Sequence, residues 1–142
     1  MEYIMKPPKI IKIILVLTCL RLAILLLTLS TAIILVNIEP TSETIIGFKA
    51  GFLNAIFGSY YGSITSEQWG YLFGYYFIPI ILIISNILFL ARPNFWGLIV
   101  VLILQSIIGL SNIIGFIYSL TILLIVLLNK DAKTYLKNFH ES

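Results

Sequence analysis

The apolar residues of this chain come in long blocks, not in the alternation of a half-buried strand or the single stripe of a surface helix. The first block covers about residues 10–36. As a helix rising ~1.5 Å per residue, it is long enough to cross ~30 Å of hydrocarbon with some tilt. Pro7 and Pro8 precede it, where proline suits a helix start, and Lys6, Lys9 and Lys12 crowd the same end. A second block covers about 71–91, with Trp69, Tyr71, Tyr75 and Tyr76 as an aromatic cuff at its beginning. Pro79 lies inside it, removes one backbone donor and predicts a kink. The stretch from Phe95 to Leu128 carries no charge. A single helix of that length would measure ~50 Å at ~1.5 Å per residue, far more than a bilayer core. It therefore divides into spans at about 96–110 and 114–128, with a turn at Gly109-Leu110-Ser111-Asn112. Both are short, which places the tip of this hairpin slightly below the outer surface.

Between the first two blocks, residues 37–68 are neither a span nor a plain loop. Pro40 and Thr41-Ser42 open a helix, Glu43 sits in its first turn, and Ile45, Phe48, Phe52 and Ile56 recur at helical spacing. Lys49 and Asn54 interrupt the run. Residues 41 to about 58 are expected to form an amphipathic helix at the outer interface or over the mouth of a bundle. Tyr60-Tyr61-Gly62-Ser63 follows as a turn. The tail, 129–142, predicts a short cytoplasmic helix whose Tyr135, Leu136 and Phe139 touch the membrane while its lysines meet anionic lipid.

The expected fold class is an all-α integral membrane protein: a four-transmembrane-helix bundle with an interfacial amphipathic helix between helices 1 and 2, in one membrane domain over 1–142. Composition agrees, with 60% hydrophobic and 11% charged residues, where soluble domains lie nearer half and a quarter. Charge fixes the orientation. Lys6, Lys9, Lys12, Arg92, Lys130, Lys133 and Lys137 fall on one side of the four-span model, and Glu39, Glu43, Lys49 and Glu67 on the other. The positive-inside bias then puts both ends in the cytoplasm. Richness in Ile and Leu suits a bacterial inner membrane. The start is basic and then apolar like a secretory signal, but the run from Ile13 to Val36 exceeds the ~7–15 residues of a signal core and is expected to be retained. The formal charge of +3 is explained by topology, and no basic patch interleaved with aromatics points to nucleic acid.

Candidate chemistry is sparse. Arg21 is the sharpest anomaly, ~13 Å deeper than Lys12 at ~1.5 Å per residue. An intramembrane charge marks a functional site by default; Arg21 either binds an anion, a headgroup or a polar partner, or snorkels or bonds Asn86, Gln105 or a free carbonyl as structural glue. Asn86, Gln105 and Asn112 complete a candidate polar site, whose amides bridge helices or line a narrow path. Gly47, Gly51, Gly58, Gly62, Gly70 and Gly74 make GxxxG pairs, candidates for helix packing within the chain or between copies. Cys19 has no second cysteine and is expected as a small packing residue. His140, the single histidine, is expected in a solvated tail, so no metal, cofactor or catalytic triad is expected. Nor do the spans carry the first-span glutamate of small multidrug exporters or the cysteine pairs of membrane thiol oxidoreductases. The sequence thus predicts a non-enzymatic protein acting through helix contacts as a subunit, regulator or immunity-type partner. Its expected partners are the bilayer, anionic lipid at the cytoplasmic face, and a membrane protein or further copies of itself. The alternative is a small oligomeric channel or transporter with a path near Arg21, Asn86 and Gln105.

Overall fold

The computed structural model describes residues 6–39, 41–58, 64–109 and 113–137. Among them the regular structure is entirely helical: α1 (Lys9–Asn37), α2 (Glu43–Phe57), α3 (Ser66–Ala91), α4 (Phe95–Ile108), α5 (Ile113–Leu128) and α6 (Lys130–Lys137). α1 and α3 are each long and apolar enough to cross a membrane. α5 and α6 pass the same test only as a pair bent by 83°, and α4 is a shorter apolar helix.

Local side chains explain several boundaries. Ser42 caps α2, with its hydroxyl 3.4 Å from the Ile45 amide. Gly58 ends α2 at φ 73°, a left-handed conformation that glycine adopts without strain, and its amide donates to the Asn54 carbonyl at 2.8 Å. α3 begins earlier than the expected residue 71. Thr65 and Gln68 form a reciprocal capping box: the Thr65 amide donates to Gln68 Oε1 at 3.1 Å, and the Gln68 amide to Thr65 Oγ1 at 3.2 Å. α3 then continues through Pro79 to Ala91. Asn94 caps α4 by accepting from the Gly97 amide at 2.9 Å, and Asn129 caps α6 by accepting from the Ala132 amide at 2.9 Å.

The chain divides into two compact units. One contains residues up to 22 together with 81 onward. Its core joins Ile11 and Ile14 of α1, Leu90 of α3, Phe95, Leu98 and Leu102 of α4, Ile122 and Val126 of α5, and Ala132, Tyr135 and Leu136 of α6. This corrects the expectation that Tyr135 and Leu136 face a membrane. The 83° bend after α5 turns α6 back onto the α4–α5 pair, so its apolar face at 132, 135 and 136 meets protein. Phe139 and His140 lie outside the described residues. Lys130, Lys133 and Lys137 stay exposed, and Lys137 Nζ sits 5.1 Å from the centre of the Phe95 ring. Burial raises the pKa of the Tyr135 phenol above its ordinary value.

The other unit, residues 23–80, is centred on Leu29 and Ala32 of α1 and Leu72 and Tyr76 of α3, flanked by Phe52, Ile56 and Phe57 of α2. Of the aromatic cuff, Tyr76 is buried in this core, while Tyr71 and Tyr75 stack on each other at 5.8 Å and stay exposed. Cys19, on α1, is exposed, which corrects the expectation of a packing residue. It falls between Thr18 and Arg21, one step off the stripe of α1 that turns inward.

Candidate functional site

The polar side chains of the first unit meet in pairs between helices. On α1 the buried positions run Ile11, Ile14, Thr18, steps of three and four that keep one face turned inward. Arg21 is the next residue on that face and is half-buried. Its guanidinium carbon lies 4.5 Å from the centre of the Tyr118 ring on α5. Thr18 Oγ1 donates to the Ile14 carbonyl at 2.7 Å and lies 2.9 Å from the Tyr118 hydroxyl. The Thr18 proton being committed to the carbonyl, Tyr118 is the donor in the second contact. The ring is thereby held with its face to the cation, an attraction of ~0.5–2 kcal/mol depending on desolvation. One terminal nitrogen of Arg21, Nη1, is buried without a hydrogen-bond partner.

Asn86 of α3 and Gln105 of α4 form the second pair. Asn86 Nδ2 donates to Gln105 Oε1 at 2.9 Å. The two residues are 1% and 4% exposed. Asn86 Oδ1 and Gln105 Nε2 have no partner, so the pair closes one of the two bonds that facing amides can share. A third contact joins Ser106 of α4 to Ser119 of α5 at 3.2 Å.

Of the candidate residues, Asn86 and Gln105 are thus together and Arg21 has an aromatic partner instead. Asn112 and Gly62 lie outside the described residues. Among the candidate glycines, Gly47, Gly51, Gly58, Gly70 and Gly74 have nothing within 4 Å of where a Cβ would sit. The close approaches lie elsewhere. A Cβ on Gly97 would stand 2.9 Å from the Phe89 ring, and one on Gly109 2.8 Å from the Phe116 amide nitrogen. Gly109 had been singled out for a turn only. Pro79 leaves the Tyr75 carbonyl without its helical donor, yet α3 is uninterrupted there.

Two residues escaped the sequence reading. Tyr118 is one of two aromatics in a largely apolar helix, beside Phe116, with no signal to mark it as the partner of Arg21. Lys49, in the second unit, interrupts an apolar run in the sequence. It is buried, and its Nζ donates to the Ile38 carbonyl at 2.9 Å and the Val36 carbonyl at 3.3 Å. These carbonyls close the C-terminal end of α1, where a cation meets the negative pole of the helix. The available signal was that α1 has no basic residue in its own last turn.

Among the described residues, no three His, Cys, Asp or Glu side chains are placed to hold a metal ion. Comparison with protein-family models, with curated proteins and with solved structures gave no match.

Proposed function

We propose that this chain is a multi-pass protein of a bacterial inner membrane, with both ends in the cytoplasm, acting without catalysis as a subunit, regulator or immunity-type partner through helix contacts. In this reading α1 and α3 cross fully. α4 and α5, ~21 and ~24 Å long at ~1.5 Å per residue, are the short third and fourth spans. α2, with Glu43 and its buried Lys49, lies at the outer interface, and Lys6, Lys9, Lys12, Arg92, Lys130, Lys133 and Lys137 gather at the cytoplasmic side.

The observation that carries the reading is the use made of polar groups. Arg21, Thr18 and Tyr118 engage one another, and Asn86 engages Gln105, on inward faces. Large apolar residues of the same helices are exposed, as at Leu20, Leu88, Val100, Ile107, Ile117 and Leu124. A conduction path or reaction centre needs polar groups open to water. A surface of exposed apolar residues suits lipid and other apolar helices. The alternative, an oligomeric channel near Arg21, Asn86 and Gln105, draws on the unpartnered Arg21 Nη1, Asn86 Oδ1 and Gln105 Nε2.

Isolation of the tagged chain in a mild detergent, with mass spectrometry of what accompanies it, tests the proposal. A second membrane protein in fixed proportion is expected. A homo-oligomer whose solute flux in liposomes is abolished by Arg21→Ala would overturn the proposal in favour of transport.

A further inference from the structure

A groove of about 460 Å³ opens between the start of α1 and the end of α5, lined by Ile10, Thr121, Leu124, Ile125, Leu128 and Asn129. Its size is that of small-ligand sites, ~300–1,000 Å³. Its chemistry is graded along its length. From Thr121 to Leu128 the α5 wall is almost wholly apolar over the last two turns, and Ile10 faces it from α1. Thr121 puts a neutral hydroxyl at one end, whereas charge gathers only at the other: Asn129 closes it, Lys130 follows Asn129, and Lys9 precedes Ile10, both lysines being exposed. Lys6, Lys12 and Lys133 stand one turn or less from them along the chain, also exposed, and Asp131 is the adjacent carboxylate. The first amides of α1 add donors at the same end, since a helix leaves its opening N–H groups without internal acceptors.

An apolar trough with cations at a single end matches one kind of molecule, an acyl chain carrying an anionic head. We infer that the groove is a binding site for one anionic phospholipid, its acyl chain along Leu124, Ile125 and Leu128 and its phosphate between Lys9 and Lys130. The inference rests on the membrane placement proposed above. Lys137 is excluded from the site, because it is engaged over Phe95 at the far end of α6.

The test uses the full chain, purified in mild detergent from membranes and exchanged into nanodiscs of phosphatidylglycerol and phosphatidylcholine in equal parts, with native mass spectrometry of the lipid retained on release. One phosphatidylglycerol per chain is expected. Lys9→Gln and Lys130→Gln should each weaken its retention about fivefold, since a lysine near an anionic surface contributes ~1 kcal/mol. Lys137→Gln should leave it unchanged. Leu124→Trp fills the trough from an exposed position, and should expel the lipid without altering the thermal unfolding midpoint. Equal retention of both lipids, retention that survives both lysine variants and Leu124→Trp, or a second copy of the chain in the groove would each overturn the site. Alkaline carbonate extraction separates this failure from that of the membrane reading. Chain kept in the pellet with no lipid bound overturns the groove alone, whereas chain released to the supernatant overturns both.

Discussion

Replacing Asn86 and Gln105 by leucine, singly and together, probes what their contact contributes. Either single change removes a bond worth ~0.6 kcal/mol on average between helices in a membrane. It also leaves the remaining amide buried and wholly unpaired, where a lost partner costs ~1–3 kcal/mol. Each single variant is therefore expected to unfold ~1–3 kcal/mol more easily. The double variant removes the contact together with the two atoms that are already orphaned, Asn86 Oδ1 and Gln105 Nε2. Two leucines of similar volume leave nothing polar behind, and the net change should be within ~1 kcal/mol of zero. The double-mutant cycle, the double change less the two single ones, then gives a coupling of about −2 to −6 kcal/mol. The assay is unfolding in mixed micelles on titration with a denaturing detergent, followed by far-ultraviolet circular dichroism. Two single effects that simply add would refute the reasoning, because independent sites do not share a partner.

The glycines give opposite signs. Gly109→Ala sets a methyl 2.8 Å from the Phe116 amide nitrogen and should lower stability by ~1–3 kcal/mol, whereas Gly47→Ala has open space and should raise it by up to ~1 kcal/mol; the same unfolding titration reads both, and equal effects would contradict the approach of α4 and α5. Lys49→Met removes two donor contacts to the end of α1 and should cost ~2 kcal/mol, with Lys49→Arg recovering part; an unchanged midpoint for Lys49→Met would show the contact to be idle. The Tyr135 phenol, raised in the folded chain by burial, stabilises fully below its unfolded value of ~10 and loses that contribution as pH rises through the folded value. Tyr135→Phe should flatten this part of the alkaline decline, measured as unfolding midpoint against pH.

Length and charge made the helices legible. An uncharged run as long as 95–128 has to break, and Gly109 marked the place; α1 and α3 needed only their extent. α3 begins before the expected residue 71 because Thr65 and Gln68, placed in the outer segment 37–68, have the spacing of a capping box. Sidedness was harder. The residues 132, 135 and 136 of α6 form an apolar face whether lipid or protein covers it, and only the bend after α5 decides which. The candidate site was half legible for the same reason. Two amides in apolar helices invite pairing, and Asn86 meets Gln105. Arg21 was sought among amides and carbonyls, while the face it uses belongs to a tyrosine whose neighbours in sequence are all compatible with a featureless helix. Lys49 could not be placed without knowing that the end of α1 turns back beside α2.

Ile11 and Ile14, at the start of α1, share their hydrophobic cluster with Ala132, Tyr135 and Leu136 of α6, far along the chain. That cluster closes only once α6 has been made, whatever the order in which the earlier segments settle. The α6 elbow therefore works as a latch: a chain cut before residue 130 would lose one wall of this cluster while keeping the α3, α4 and α5 side of it.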